Sequence, residues 1–296
     1  MSNPINARAN QHHRIIDEVN VEQSPKRFRM CMDPADHEAD TNGLAELKAS
    51  ASGQFAQNGL KYMKNVIPND RITIVDLRQE CHGYVNGMAV SWYGEKNDSN
   101  KGMTQEDIIA LERKKLDEYI EAETVDFDYI EGKSFQLAQP ITGPRKVYSE
   151  EELAELEGFE YVRFCVTDHH RPPDEVVDQF VEFVKALTND NWLHFHCRGG
   201  VGRATSFILM YDMMRNADKV SLSDILNRQH KIGGRDMYRM IHDHGAALYD
   251  AAVERLAFIN TFYDYCVSQK DEFKMSWSEW LHTQEDRPQK SQLETY

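Results

Sequence analysis

The sequence lacks any segment that would place it in or across a membrane. No apolar run approaches the roughly 20 residues needed to span a bilayer. Residues 1–20 are polar and contain no apolar signal-peptide core. We therefore expect no membrane partner. The protein is expected to be cytoplasmic, to be exported without a signal peptide visible in this chain, or to be a mature form whose signal peptide was removed.

Cysteines are few and scattered. Their odd number and their positions match neither the paired spacing of metal ligands nor a disulfide framework. The sequence therefore predicts no metal site, and a reducing compartment suits these thiols best. The five cysteines are Cys31, Cys81, Cys165, Cys197 and Cys266.

Basic residues are in the minority. The chain has 34 Lys and Arg against 49 Asp and Glu, a formal net charge of −15. A nucleic-acid-binding protein should present a basic face, so this composition argues against a nucleic-acid partner. An anionic substrate also fits the net charge poorly, but a local basic pocket can exist on an acidic protein.

One stretch combines a strand, a glycine-rich loop and a helix. Residues 192–195 form an apolar run typical of a buried strand, and residues 207–211 form one typical of a buried helix. Glycines let a backbone curl so that successive N–H groups point inward, and the helix N-terminus adds partial positive charge. The stretch therefore predicts an anion site. Its glycines are Gly199, Gly200 and Gly202.

Cys197 and Arg203 bracket this loop with five residues between them. The arginine fork suits two oxygens of a phosphate. The same positive surroundings favour a thiolate nucleophile at Cys197. A buried structural cysteine beside a glycine turn is the alternative for an isolated cysteine. The flanking strand, glycines and helix favour the catalytic interpretation.

The loop is the signature of the protein-tyrosine-phosphatase superfamily, and the wider sequence resembles one branch of it, the bacterial cysteine phytases or inositol polyphosphatases. The resemblance runs from about residue 27 to about residue 265. The segments that carry it are 47–53, 74–94, 167–169, the loop itself and 228–234.

This resemblance implies an α/β protein-tyrosine-phosphatase-like fold, with a central mixed sheet flanked by helices and a small inserted partial β-barrel. We expect the phosphatase domain over residues 24–282, interrupted by a β-rich insert at about 90–148. Residues 1–23 and 283–296 are expected to be polar tails.

The resemblance also assigns a general acid. Asp168 occupies the place of the aspartate in the family's Thr-Asp-His loop, where it would protonate the leaving oxygen and later activate water. An Asx-turn or capping aspartate is the alternative. His169 would contact substrate phosphate. The loop positions expected to bind phosphate are Arg198, Gly199, Gly200, Val201 and Gly202.

Four further residues have expected roles near the loop. We expect Arg29 to reach a polyanionic substrate from the rim, and Lys133 to bind phosphate from the insert. His196 is expected to be structural. Gln229 is expected either to position the hydrolytic water or only to support the loop, and the sequence leaves both open.

One further expectation, an ion pair between Arg78 and Glu80, follows from the sequence itself. Residues 72–77 form an apolar, β-branched run that predicts a strand. Arg78 and Glu80 leave the end of that strand. Functional side chains gather at such strand ends, and we interpret these two as an internal ion pair that supports the phosphate loop.

The loop departs from the usual phytase pattern at three positions. Arg198 replaces an acidic residue and adds positive charge, and Gly199 replaces alanine. Ala204 replaces the Thr or Ser whose hydroxyl helps sulfur to leave. Thr205 is next, but it would point about 100° further round the helix. We therefore expect slower breakdown of a cysteinyl-phosphate.

The sequence thus predicts a metal-independent hydrolase, without a cofactor, that removes phosphates from myo-inositol polyphosphates such as phytate. A protein-tyrosine or dual-specificity phosphatase on the same scaffold is one alternative. A catalytically impaired phosphate-binding module, suggested by Ala204 alone, is another. The preferred inositol phosphate, the order of dephosphorylation and the oligomeric state stay open.

Overall fold

The computed structural model describes residues 12–33, 40–94, 97–143, 145–239, 245–269 and 272–285. The strands are β1 (His13–Glu18), β2 (Arg29–Met30), β3 (Ala49–Ser52), β4 (Ile72–Arg78), β5 (His82–Val85), β6 (Met88–Tyr93), β7 (Thr124–Val125), β8 (Ile141–Thr142), β9 (Val147–Tyr148), β10 (Glu160–Val166) and β11 (Trp192–His196). The helices are α1 (Gln57–Val66), α2 (Gln105–Glu121), α3 (Glu150–Leu156), α4 (Asp174–Ala186), α5 (Gly202–Asn216), α6 (Leu222–Lys231), α7 (Ala246–Ser268) and α8 (Trp277–Glu285).

A five-stranded mixed sheet forms the centre of the molecule. Its strand order is β10-β4-β11-β3-β2, and only β2 runs antiparallel to its neighbour. The four parallel strands therefore place their carboxyl ends at one edge. The predicted α/β fold with a central mixed sheet is confirmed.

Apolar side chains pack the helices against this sheet. Helix α5 is buried almost all round, as its apolar sequence indicates. Phe180 of α4 contacts Phe195 of β11 and Phe207 of α5, with ring centroids 6.2 and 5.0 Å apart. This aromatic cluster fixes the axis of α5, and with it the direction in which the helix N-terminus faces.

A second, antiparallel sheet has the order β1-β6-β5-β9, and a two-stranded ribbon pairs β7 with β8. The described residues form open sheets here and no closed barrel. We expected the insert at about residues 90–148. Two strands of this sheet lie before residue 90, namely β5, which starts at His82, and β1 from the N-terminal region. The helix of the insert, α2, begins after Thr104, whose hydroxyl accepts a hydrogen bond from the Asp107 backbone N–H.

The expectation of a polar tail over residues 1–23 is wrong for its second half. Strand β1 pairs with β6, and Ile15 and Ile16 are fully buried. Two isoleucines among charged residues give too short an apolar run to mark a strand, and their partner lies some 75 residues away in the sequence. Residues 1–11 lie outside the described residues. At the other end α8 extends to Glu285, and the rest of the predicted C-terminal tail lies outside the described part of the chain.

Within the described ranges, every helix is too short or too polar to cross a lipid bilayer.

The buried strand β1 leads to a stability prediction. Ile16→Ala should lower the free energy of unfolding by about 2–5 kcal/mol, because it removes a fully buried side chain from a packed sheet. Val21→Ala is the control, since Val21 is 46% exposed and should change stability by at most about 0.5 kcal/mol. Denaturant unfolding measures both, and equal small effects would contradict a docked N-terminal strand.

Candidate active site

The predicted phosphate loop lies at the carboxyl edge of the central sheet. Strand β11 ends at His196, Cys197 to Val201 form the loop, and α5 begins at Gly202. Gly200 has φ of +69°, and a Cβ there would lie 2.4 Å from the Gly53 backbone nitrogen. Only glycine fits this left-handed and crowded position. The loop therefore packs directly on the end of β3.

Arg203 is held rigidly behind the loop. Its guanidinium donates to both carboxylate oxygens of Glu80, at 2.7 and 3.0 Å, and to the carbonyl oxygens of Leu77 and Val166 at 3.2 and 3.0 Å. The side chain is almost fully buried. Burial favours the neutral form, but Asp168 and Glu80 outweigh it and raise the pKa of Arg203. A fixed guanidinium is suited to phosphate oxygens.

A line of alternating charges extends from this pair to the rim. Glu80 accepts from Arg78 at 2.8 Å, Arg78 donates to Asp17 at 2.9 Å, and Asp17 accepts from Arg198 at 2.8 Å. Asp17 belongs to β1, so the N-terminal strand completes the network. The expected internal ion pair of Arg78 and Glu80 is present, and it forms part of a longer chain that joins Arg203 to Arg198.

Asp168 lies beside Arg203. One carboxylate oxygen lies 3.3 Å from Arg203 Nε, and the other accepts from the Asn97 side chain at 2.8 Å. Burial raises the pKa of Asp168, but the Arg203 guanidinium outweighs burial and holds this pKa below its ordinary value. The free protein therefore carries Asp168 as a carboxylate at neutral pH.

Asp168, Cys197 and the loop open into one cavity of about 520 Å³. Its basic lining explains how an acidic protein can accept an anion, because the positive charge is concentrated where the loop is. Arg27 also donates to the Gly199 carbonyl oxygen at 2.9 Å. The basic side chains that line the cavity are Arg27, Lys133, Arg198, Arg235 and Arg255, with His169 beside them.

Tyr93 organises two of these cations. Lys133 Nζ donates to the Tyr93 hydroxyl at 2.8 Å and lies 4.9 Å from the ring centroid. The Arg198 guanidinium lies 4.7 Å from the same centroid and donates to the Lys133 carbonyl oxygen. Cation–π contacts of this kind hold long side chains in place. The structure thus places Lys133 and Arg198 together at the rim of the cavity, and their binding of phosphate stays a prediction.

Arg29 does not reach the rim, and that expectation is wrong. Its side chain is 3% exposed and lies beneath the loop, where it donates to the Gly200 carbonyl oxygen at 3.1 Å and to Thr205 Oγ1 at 3.2 Å. Burial lowers the pKa of Arg29 to about 10. Arg27, two residues earlier, lines the cavity instead. Strand β2 has only two residues, which is too short for an alternating pattern to be visible in the sequence. The sequence therefore did not indicate which of the two arginines faces the cavity.

His196 and Gln229 both lie below the loop. His196 Nε2 is 2.5 Å from Glu150 Oε1, and its ring is fully buried. Gln229 is also buried and donates to Asp212 at 2.9 Å, in a cluster with Arg228. Neither residue lines the cavity. This placement favours the supporting role for Gln229 over a role in positioning water.

The hydroxyl nearest Ala204 is already in use. Thr205 Oγ1 accepts from Arg29 and from the Arg235 backbone N–H at 3.1 Å. It therefore holds the underside of the loop and does not replace the hydroxyl that Ala204 lacks.

His169 lines the cavity as expected, and its backbone N–H donates to Asp168 at 3.0 Å.

Among the described residues, Asp76, His82 and Glu150 form a group whose ligand atoms are close enough to hold a metal ion. Arg163 Nε lies 3.1 Å from Asp76, and His82 Nε2 lies 3.2 Å from it. Although burial disfavours the charged ring, Asp76 raises the pKa of His82 to about 10. Positive side chains therefore already balance these carboxylates, and the group fits a metal ion poorly.

Sequence reasoning missed Arg255, because α7 reads as a core helix. Its side chain is 1% exposed and lies against the start of α5, where a Cβ on Gly202 would be 2.6 Å from Arg255 Nη1. A signal was present: Arg255 falls on the apolar stripe formed by Ala252 and Ile259. A charged residue is almost never fully buried unless it is paired, so an arginine on a buried stripe indicates a specific contact.

The geometry invites comparison with known proteins. A family model of the protein-tyrosine-phosphatase-like phytases matches residues 75–215. The description of that model names inositol hexakisphosphate. The structure of a myo-inositol phosphatase of this type from Mitsuokella multacida, in complex with myo-inositol-(1,3,4,5)-tetrakisphosphate, is similar with a TM-score of 0.87 and 32% identity, covering 100% of this chain and 51% of that one.

Two further relatives are similar over most of this chain. A phytase structure from Bdellovibrio bacteriovorus has a TM-score of 0.72 at 29% identity and covers 93% of this chain and 96% of that one. The effector protein hopD2 of Pseudomonas syringae pv. tomato is 29% identical over 246 residues, which is 81% of this chain and 53% of the effector. The chain therefore spans about half the length of the Pseudomonas and Mitsuokella proteins.

The buried charges lead to a second prediction. Glu80→Gln should destabilise the fold by about 3–5 kcal/mol, because it leaves Arg78 and Arg203 buried without their shared counter-charge. Glu182→Gln is the control, since that carboxylate is 64% exposed in its pair with Lys185 and should matter by less than about 1 kcal/mol. Denaturant unfolding compares them, and similar losses would show that Glu80 is not essential to the charge network.

Proposed function

Because the chain belongs to the protein-tyrosine-phosphatase-like phytase family, we propose that it hydrolyses phosphate monoesters of myo-inositol polyphosphates through a cysteinyl-phosphate intermediate. The observation that carries this proposal is one cavity that joins Cys197 and Asp168 to five basic side chains, with the Arg203 guanidinium 3.3 Å behind Asp168. A substrate with several phosphates is the chemical counterpart of such a lining.

In the first step the Cys197 thiolate attacks phosphorus in line with the leaving oxygen. The S–P bond forms as the P–O bond breaks, and Asp168 gives its proton to the departing inositol oxygen. Backbone N–H groups of residues 198–203 and the Arg203 guanidinium hold the equatorial oxygens, where negative charge is spread in the transition state. Arg203 and the N-terminus of α5 supply the positive charge that a divalent ion supplies in other phosphatases.

In the second step water attacks the same phosphorus. Asp168, now a carboxylate, takes the proton from water, the S–P bond breaks, and Cys197 leaves as a thiolate with release of inorganic phosphate. Ala204 offers no hydroxyl to the departing sulfur, so this step is expected to be the slower one.

The rim favours inositol polyphosphates over phosphotyrosine. A phosphotyrosine pocket needs one phosphate site and an accessible aromatic wall. The ring of Tyr93 is contacted by Lys133 and Arg198, and only 7% of the residue is exposed. Cations on that ring are available for further phosphates and leave little aromatic surface for a substrate ring.

A phosphatase that acts on phosphorylated protein is the second candidate. The observation that favours it is the loop from Cys197 to Arg203, which is the signature of the protein-tyrosine-phosphatase superfamily as a whole. Both candidates share Cys197, Arg203 and Asp168, so the reaction steps are the same and only the leaving group differs.

Phosphate release from inositol hexakisphosphate in the presence of a chelator tests the proposal. Wild type should release phosphate, and Cys197→Ser should lose at least about a thousandfold in rate while it still binds the anion, because serine at this position is a far weaker nucleophile. A phosphotyrosine peptide is assayed in parallel. Release from the peptide alone would move the assignment to the second candidate, and turnover by Cys197→Ser near the wild-type rate would refute the nucleophile.

The state of Asp168 leads to a prediction about pH. Arg203 lowers the pKa of Asp168 in the free protein, and only the protonated form can donate to the leaving group. The kcat/KM for inositol hexakisphosphate should therefore be highest in acid and fall as pH rises through that pKa. Asp168→Asn should cost about 100-fold or more and flatten this descending limb. A limb unchanged in Asp168→Asn would assign it to another group.

A further inference from the structure

Asn97 lies between the general acid and the ion pair behind the phosphate loop. It follows β6 in the chain, and only 2% of it is exposed. Its side-chain nitrogen lies 2.8 Å from Asp168 Oδ2 and 3.0 Å from Glu80 Oε1. One amide group therefore donates to two carboxylates that have different tasks.

The orientation of this amide follows from its partners. Both neighbours are acceptors, so the nitrogen must face them, since an oxygen there would be repelled by two carboxylates. Within the described residues Asn97 Oδ1 is buried without a hydrogen-bond partner, which normally costs stability. The backbone has φ of +55°, a conformation that asparagine tolerates better than most residues. The position is thus shaped to present an NH₂ group.

Several other ionisable groups face Asp168. Arg203 of α5 lies 3.3 Å from Oδ1, and His169 Nε2 lies 3.9 Å from Oδ2. Arg255 of α7 adds positive charge, whereas Glu80 repels the carboxylate. Asn97 itself carries no charge, and it bridges the carboxylates of Asp168 and Glu80.

We propose that Asn97 is a positioning residue for the general acid. Its side chain ties Asp168 to the Glu80–Arg203 pair and holds Asp168 as a carboxylate until phosphate binds. The inference rests on the proposed acid role of Asp168. In this arrangement the acid is not oriented by its own loop alone. A dianionic phosphate in the loop adds negative charge beside Asp168 and favours its protonated form, so that the proton is taken up when substrate arrives.

Two substitutions remove the donor without straining the backbone. Asn97→Gly deletes the side chain and suits φ of +55°. Asn97→Asp keeps the size but replaces the donor with a third carboxylate. Asn100→Gly is the matched control, because Asn100 has φ of +69° in the same segment and its side chain binds Gln79 and Cys81 instead of Asp168.

The test uses two aryl phosphates, so that it does not depend on the inositol substrate. Phenyl phosphate has a poor leaving group that needs an acid, and p-nitrophenyl phosphate has a good one that needs it little. For phenyl phosphate, Asn97→Gly should move the descending limb of kcat/KM to higher pH by about one unit, because a hydrogen bond to the charged form is lost. Asn97→Asp should move it further, because a like charge is added.

The rates should show the same discrimination. On the acid side of the limb, where Asp168 is protonated in both proteins, kcat for phenyl phosphate should fall about tenfold in Asn97→Gly because the acid is less well oriented, with a change of less than about threefold for p-nitrophenyl phosphate. Asn100→Gly should keep the wild-type pH profile for both substrates. These results would support the proposal.

A purely structural role for Asn97 gives a different result. Both substrates would then lose the same factor at every pH, and the limb would stay in place, which would overturn the proposal. If wild type hydrolyses the aryl phosphates but not inositol hexakisphosphate, the proposed substrate is wrong, whereas the comparison of Asn97 variants still decides the role of Asn97.

Discussion

The buried ion pair of Glu80 and Arg203 is the interaction on which the rest of the site depends. Both side chains are almost fully withdrawn from solvent, and each charge would be very costly there alone. Glu80 comes from the segment after β4, and Arg203 opens α5 behind the glycine loop. The pair therefore fixes the phosphate loop relative to the central sheet, while the carbonyl oxygens of Leu77 and Val166 accept from Arg203 Nη1, the nitrogen that also donates to Glu80. An arginine held in this way spends little conformational entropy when phosphate arrives.

Charge balance then extends outward from this pair. Arg78 shares Glu80 with Arg203 and requires Asp17 as its second partner, and Asp17 in turn holds Arg198 at the rim. The N-terminal strand is thus part of the site. The same logic reconciles a net charge of −15 with an anionic substrate, because the cations are gathered in the cavity and the excess of carboxylates lies elsewhere. Substrate selection under this account rests on that rim, and chemistry rests on the loop.

The sequence predicts those parts of the site that are local in the chain. Strand, glycines, Cys197 and Arg203 lie within about a dozen residues, and the physical reason for each is visible there. What it does not predict depends on contacts between distant segments. Arg29 lies beneath the loop and Arg27 above it because a short strand pairs with β3. Arg255 and Asn97 reach the site from a helix and a loop whose own patterns indicate packing or a turn. Strand β1 is recognisable only once its partner β6 is known.

The central claim is that Cys197 carries the phosphoryl group between two steps, of which the second is slow because Ala204 provides no hydroxyl. Acid quenching of the wild-type protein during turnover of inositol hexakisphosphate, followed by mass spectrometry of the Cys197 peptide, tests it directly. The account predicts a phosphorylated Cys197 that accumulates during turnover, is absent in Cys197→Ser, and becomes less abundant in Ala204→Thr. Turnover without any phosphoryl group on Cys197, in wild type and Ala204→Thr alike, would contradict it.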